Sequence, residues 1–198
     1  FCGLSKELFE IIPAAEIGAV IFSGQMQDVI PVGADGKALG NAILYSDGRA
    51  DEQARAIIRE AAKRNVVPLG DAYIAEITGN HFDGSMPLAK ILWLKENKPE
   101  IYEKTACFLI SSKDYVITRL TGVFAGDMTA CSTAGAMDLD RKEWSEELIE
   151  AAKAAPGSIS VGVTSVTTSE GLALKQLQKA AGCEFNIIPF DGESAVLT

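Results

Sequence analysis

The segment from Ser85 to Asn97, with the sequence SMPLAKILWLKEN, decides much of the fold. It predicts a helix from Pro87 to the end of the segment, because proline suits the first turn of a helix and Pro99 lies just beyond its end. We expect Trp93 and its apolar neighbours to pack in the core. Lys90 is expected to hold a loop by hydrogen bonds.

Helical and extended patterns alternate along the chain on both sides of this helix. Further helices are predicted at Leu4–Ile12, Asp51–Arg64, Tyr73–Ile77 ending at Gly79, Ser112–Leu120 ending at Gly122, Ser145–Ala155 and Thr167–Ala181. Strands are predicted at Ile17–Phe22, Asp28–Val32 in a hairpin with Ala38–Leu39, Ala42–Tyr45, Ala106–Ile110 and Phe185–Phe190. The alternation predicts an α/β fold with a mixed sheet. Ile17–Phe22 and Ala106–Ile110 are expected to be interior strands, since neither has a polar face.

Length and composition predict a globular protein. The 198 residues are enough for one domain or two small ones, with 47% hydrophobic and 23% charged residues. These values exclude collagen, coiled coils and disordered chains. The net charge of −9 opposes attraction to nucleic acid or anionic lipid. A small-molecule or protein partner is therefore favoured.

Neither membrane insertion nor structural zinc is predicted. No apolar run approaches the roughly 20 residues that cross a bilayer, and the first residues do not resemble a signal peptide. The four cysteines show no CxxC spacing, and His81 is the single histidine. We expect reduced thiols, no metal ligands and a cytoplasmic location.

Five motifs, in order, resemble those of the FGGY carbohydrate kinases. Residues 85–97 fit that family's signature, with its small residue, Pro/Ser/Thr, Lys, Trp and closing acidic–amide pair. The other four motifs are Ser23–Met26, Ile43–Arg49, Lys113–Tyr115 with Leu120–Gly122, and Gly126–Thr129 with Asp138–Trp144. The first two of these are most similar to the xylulokinase branch of the family.

The resemblance implies a two-domain sugar kinase with actin-like, ribonuclease-H-like folds that uses ATP and Mg²⁺. Residues 1–198 would be most of the first, sugar-binding domain. The N-terminal phosphate loop and the second, ATP-binding domain would lie outside this chain, so the chain by itself is expected to be inactive. The implied substrate is a ketopentose such as xylulose. A homodimer is the oligomer to test.

Three residues after the first predicted strand are candidates for sugar binding: Gln25, Met26 and Gln27. An amide can both donate to and accept from sugar hydroxyls, and methionine can pack against the carbon face of a sugar. Xylulose-using relatives often have histidine where this chain has Gln27, which leaves the identity of the sugar open. The alternative is a pair of polar side chains on an edge strand.

Asp47, Arg49 and Ser85 complete the expected sugar site. Asp47 could bind two hydroxyls while Arg49 fixes its position through a bidentate pair. The alternative for Arg49 is an ion pair that only shapes the loop. Ser85 opens the signature segment and is the remaining sugar-binding candidate.

Asp191 and Gly192 follow the last predicted strand, where the resemblance places the catalytic carboxylate. It implies that Asp191 accepts the proton of the sugar hydroxyl and that Gly192 contacts the nucleotide. Ile188-Pro189-Phe190 stands where the family usually has glycines. The alternative is that Asp191 caps a helix.

Three other functions remain open from the sequence. The kinase could act on another polyol, ketose or sugar acid. A sugar-binding module without kinase activity is the second, and a plain interaction domain is the third.

Overall fold

The computed structural model describes residues 2–65, 70–155, 160–163 and 186–189. The helices are α1 (Cys2–Ile11), α2 (Asp51–Asn65), α3 (Gly70–Thr78), α4 (Pro87–Asn97), α5 (Pro99–Tyr102), α6 (Ser112–Thr121), α7 (Met128–Ser132) and α8 (Glu146–Ala154), with a 3₁₀ turn at Ala14–Glu16. The strands are β1 (Met26–Val32), β2 (Cys107–Ser111), β3 (Met137–Asp138), β4 (Glu143–Trp144), β5 (Ser160–Val163) and β6 (Asn186–Pro189).

The predicted helices that lie in the described residues are all present. α4 has the predicted bounds, because Pro87 occupies its first turn and Pro99 begins the next helix. Gly79 and Gly122 end α3 and α6 with positive φ angles of 66° and 74°, the left-handed conformation that glycine adopts without steric cost. The predicted helix Thr167–Ala181 lies outside the described residues.

β1 and β2 form an antiparallel pair. Ile30 lies opposite Leu109, and the register is irregular between Met26 and Ile30. The predicted hairpin after β1 is confirmed, with Val32 bridged to Ala38. The predicted strand Ala42–Tyr45 is reduced to one bridge, in which Ile43 and Val29 exchange backbone hydrogen bonds of 2.9 and 3.0 Å.

The prediction of an interior strand at Ile17–Phe22 is wrong for this structure. The segment lies outside every strand, and Ile21 is 96% exposed. An apolar run favours burial, but a strand also needs neighbours that pair with its backbone N–H and C=O groups. In the described residues, the strands pair with one another and none pairs with this segment. The predicted strand Ala106–Ile110 has such a partner and is β2, one residue further along. It is not the interior strand that was expected, because in the described residues it pairs with β1 alone in a two-stranded sheet.

The α/β class is confirmed, although the strands form three two-stranded sheets rather than one mixed sheet in the described residues. β1–β2 and β3–β4 are antiparallel, whereas β5–β6 is parallel. β6 confirms the strand predicted at Phe185–Phe190. Asp191 and Gly192, which follow it, lie outside the described residues.

The largest core joins α2, α3, α4 and α8. Ile57, Ile74 and Leu148 are fully buried in it, and the loop residue Phe82 packs beside them. A smaller cluster of Val29, Ile43 and Leu94 joins α4 to β1. α4 therefore contacts both cores, which places its residues between the helical layer and the start of β1. No helix in the described ranges is long and apolar enough to span a bilayer.

Candidate sugar-binding site

Four segments meet beside α4. They are the start of β1, the loop from Leu44 to Arg49, the loop from Asp83 to Met86, and Lys90 on α4 itself. Six of the predicted site residues lie on the first three segments: Gln25, Met26, Gln27, Asp47, Arg49 and Ser85.

Gln27 lies at the irregular part of β1 with a backbone φ of 65°. This left-handed conformation is uncommon for residues other than glycine, and such strain is concentrated at functional sites. The Gln27 amide donates to Ser85 Oγ at 3.4 Å and lies 3.8 Å from Met86 Sδ. Two of the predicted sugar-binding residues, 58 positions apart in the sequence, are therefore neighbours.

Gln25 has a partner that the sequence did not predict. Its side-chain amide donates to Asp28 Oδ1 at 2.9 Å, and the same oxygen accepts the Tyr45 N–H at 3.1 Å. Asp28 is only 2% exposed. Its carboxylate thus joins β1 to the loop that carries Asp47. A charged residue directly before the apolar run Val29–Val32 was the signal in the sequence that could have identified it.

Met26, by contrast, has a side chain that is half-buried at the first position of β1. Its backbone lies opposite Ser111 of β2. The structure thus places Met26 next to Gln27 at the irregular start of the strand.

Lys90 is fully buried, and its ammonium group joins two of these segments. Lys90 Nζ donates to the carbonyl oxygen of Leu44 at 2.7 Å and to that of Gln27 at 3.2 Å. Burial lowers the pKa of Lys90, and the carboxylates of Asp47, Asp28 and Asp83 oppose that shift. The predicted hydrogen-bonding role of Lys90 is confirmed. Lys90 holds two segments, however, where one loop was expected.

Asp47 and Arg49 form the predicted bidentate pair. Arg49 Nε lies 2.9 and 3.0 Å from the two carboxylate oxygens, and the Arg49 N–H donates to Asp47 Oδ1 at 3.0 Å. The guanidinium also lies 4.8 Å from the centre of the Trp93 ring, a cation–π distance. Hydrogen bonds from Arg49 lower the pKa of Asp47, and the same pair raises the pKa of Arg49. Asp47 is therefore ionised and held in one orientation at neutral pH.

Ser85 is oriented by Asp83. The Asp83 Oδ1 atom accepts the Ser85 hydroxyl at 2.6 Å and the Ser85 N–H at 2.8 Å. Burial raises the pKa of Asp83, but these hydrogen bonds outweigh it, so the pKa lies below its ordinary value. Ser85 thus donates to Asp83 while it accepts from Gln27, and its lone pairs face the amide.

The described residues bring together groups suited to a polyhydroxylated ligand. A fixed carboxylate, an amide and a hydroxyl provide donors and acceptors within one region. In the described ranges, no group of three or more His, Cys, Asp or Glu side chains could hold a metal ion. We therefore assign no Mg²⁺ ligand to these residues.

Comparisons with known proteins show the family to which the chain belongs. Over residues 4–195 the chain matches the FGGY family of carbohydrate kinases, N-terminal domain. It is 36% identical over 137 residues to the xylulose kinase of Bacillus subtilis (strain 168), covering 69% of this chain and 26% of that protein. The chain thus spans about a quarter of the length of that relative. Other relatives include a gluconokinase of Bacillus subtilis (strain 168), at 28% identity over 75% of this chain and 27% of that protein.

Solved structures show the same relationship. The ligand-bound xylulose kinase from Lactobacillus acidophilus matches with a TM-score of 0.59 at 30% identity, covering 74% of this chain and 28% of that one. A gluconate kinase from Lactobacillus acidophilus matches with a TM-score of 0.58 at 31% identity and the same coverage. The resemblance noted in the sequence is confirmed: the chain belongs to the FGGY family of carbohydrate kinases.

Proposed function

We propose that this chain forms most of the sugar-binding domain of a longer kinase, which transfers a phosphoryl group from ATP to a sugar hydroxyl. A ketopentose such as xylulose is the first candidate substrate. The observation that supports the proposal most is the convergence of Gln27, Ser85 and the Asp47–Arg49 pair beside Lys90. Relatives that are xylulose kinases and gluconokinases support the class of substrate more strongly than the individual sugar.

The sugar would be held by groups that the fold orients in advance. The Asp47 carboxylate has both oxygens fixed by Arg49 and can accept from two neighbouring hydroxyls. The Gln27 amide can exchange hydrogen bonds with a third, and Met26 can contact the carbon face. Because these groups are already oriented, little conformational entropy is lost on binding.

Phosphoryl transfer is proposed to use Asp191 and Gly192. The sugar oxygen forms the new bond to the γ-phosphorus, the bond from that phosphorus to the β-phosphate oxygen breaks, and ADP leaves. Asp191 accepts the hydroxyl proton, and the Gly192 backbone lies against the nucleotide. ATP is proposed to bind mainly to residues outside this chain, with Mg²⁺ neutralising charge on its phosphates. The cytoplasm is the proposed location, and light scattering would test a homodimer.

The experiment is a coupled ADP-release assay of the full-length kinase, the longer protein proposed above, over pentuloses, hexuloses, polyols and gluconate. Turnover with one class identifies the substrate class. No turnover with any of them would refute the kinase. Calorimetric binding of a sugar without turnover would instead favour a sugar-binding module, the second candidate, because the groups proposed to hold the sugar lie in the described residues.

Asp191→Asn tests the proposed base in the same assay. Asparagine keeps the shape but cannot accept the proton, so kcat should fall by roughly 10²–10⁴ with little change in sugar affinity. Asp140→Asn, at an exposed position, is the matched control and should keep full activity. If Asp191→Asn retains more than a tenth of kcat with unchanged stability, the base lies elsewhere, and Asp47 is the next candidate.

A further inference from the structure

Lys90 is a fully buried lysine whose two hydrogen bonds go to backbone carbonyl oxygens. Removing an ammonium from water is unfavourable unless hydrogen bonds and charge compensate for it. A buried lysine that served only for packing could be replaced by an apolar side chain of similar length. The contacts of Lys90 therefore indicate a task that needs an ammonium group.

The two carbonyl groups belong to two different segments of the chain. One is that of Gln27 at the irregular start of β1, and the other is that of Leu44, the first residue of the loop that carries Asp47. Both oxygens lie within 3.2 Å of one nitrogen, so the ammonium fixes the separation of the two segments. Helix α4 sets the position of that nitrogen, since Lys90 lies at the end of its first turn.

Lys90 also holds Gln27 in its strained backbone conformation. Residues with positive φ persist only where their surroundings fix them, and the hydrogen bond from Lys90 to the Gln27 carbonyl is one such restraint. The direction of the Gln27 side chain follows from that backbone conformation. A change at Lys90 would therefore be transmitted to the amide beside Ser85.

The charge of Lys90 acts on the same residues. Asp28, Asp47 and Asp83 all lie close enough to interact with it electrostatically, and Lys90 favours the ionised form of Asp47 and of Asp83. Asp28 accepts the Tyr45 N–H directly after Leu44. One ammonium thus acts on the geometry and on the ionisation of the region.

We propose that Lys90 is a positioning residue for the sugar, which sets the spacing between Gln27 and Asp47 and so controls sugar binding rather than phosphoryl transfer. The inference rests on the proposed function for its substrate. It goes beyond that function because Lys90 is fully buried and acts through two backbone carbonyl groups. A change at Lys90 should therefore alter sugar affinity and leave the catalytic rate nearly unchanged, whereas a loss of fold would reduce both.

The kinetic test compares Lys90→Met with Lys95→Met in the full-length kinase. Methionine keeps a flexible chain of similar length but leaves both carbonyl groups without their donor. Lys95 lies on the same helix with its side chain exposed, so Lys95→Met controls for the change of charge. Lys90→Met should raise the sugar KM at least tenfold, with ATP KM and kcat within about twofold of wild type. An unchanged sugar KM, or an equal rise for sugar and ATP, would overturn the proposal.

Hydrogen exchange provides a test that does not depend on activity. In Lys90→Met, amides of residues 43–47 should exchange at least tenfold faster than in Lys95→Met, while those of α2 keep their rates. Unchanged exchange at 43–47 would overturn the positioning role even if the protein phosphorylates no sugar. Conversely, faster exchange without turnover would refute only the kinase. If Lys90→Met does not fold, Lys90→Gln, whose amide can donate to one carbonyl, should show the same pattern with a smaller effect.

Discussion

Replacing Gln27 by glycine and by alanine would separate the strain of its backbone from the function of its amide. Both substitutions remove the same side-chain amide. Only alanine retains a Cβ atom, which is unfavourable at the observed φ of 65°. The difference between the two variants therefore reports the backbone conformation alone.

The structure allows the size of each effect to be worked out. The left-handed conformation costs a residue with a Cβ about 1–2 kcal/mol, and the greater freedom of glycine in the unfolded chain offsets about 0.5–1 kcal/mol of that. At the midpoints of these two ranges, Gln27→Gly should be about 0.8 kcal/mol more stable than Gln27→Ala. The contacts of the amide, at 3.4 Å to Ser85 Oγ and 3.8 Å to Met86 Sδ, are long, so their loss contributes little to stability.

The effect on the sugar should be the same in both variants. One neutral hydrogen bond contributes about 0.5–1.5 kcal/mol, so the sugar KM of the full-length kinase should rise roughly two- to tenfold with ATP KM unchanged. Thermal unfolding and steady-state kinetics of the two variants are the measurements. For a domain of this size, the stability difference corresponds to about 1–4 °C in Tm. A glycine variant that unfolds at a lower temperature than the alanine variant would refute the strained conformation at this position.

Two further predictions concern stability in the full-length kinase. Leu148→Ala should destabilise the domain by about 2–5 kcal/mol in urea unfolding, because Leu148 of α8 is fully buried in the largest core. Leu148→Met should cost under about 1.5 kcal/mol, and equal effects of the two substitutions would show that this core is loosely packed. Asp127→Asn keeps the cap of α7 but removes the ion pair with Lys113, whose hydrogen bond holds the pKa of Asp127 below its ordinary value of 3.8. That stabilisation is present above pH 3.8 and is lost as pH falls through the folded pKa. The variant should therefore be less stable than wild type at pH 7, and this difference in stability should narrow at low pH. A stability difference independent of pH would contradict the ion pair.

The helices could be predicted because their signals are local. Pro87 and Pro99 flank α4, Gly79 and Gly122 follow α3 and α6, and each signal acts within a few residues of the helix end. The bidentate pair of Asp47 and Arg49 was equally accessible, since its members are two residues apart. The residue types of the candidate site were predicted through family motifs that the chain carries in order.

The strand at Ile17–Phe22 was predicted incorrectly because strand formation depends on partners. Its apolar run is as continuous as that of β2, yet β2 lies opposite β1 while Ile17–Phe22 pairs with no described strand. Hydrophobic pattern indicates that a segment favours burial. Whether a partner strand lies beside the segment depends on other parts of the chain.

By itself, the sequence determined both ends of α4, the glycines that end α3 and α6, the hairpin after β1 and the residue types of the candidate site. Only the tertiary structure decided that Asp28 joins Gln25 to Tyr45, and that Lys90 holds the carbonyl groups of Gln27 and Leu44. Helix caps and turns depend on backbone geometry over a few residues, which the local sequence specifies. The contacts that assemble the site join residues up to 63 positions apart. They arise because α4 packs against β1, and the packing of these elements is a property of the whole fold.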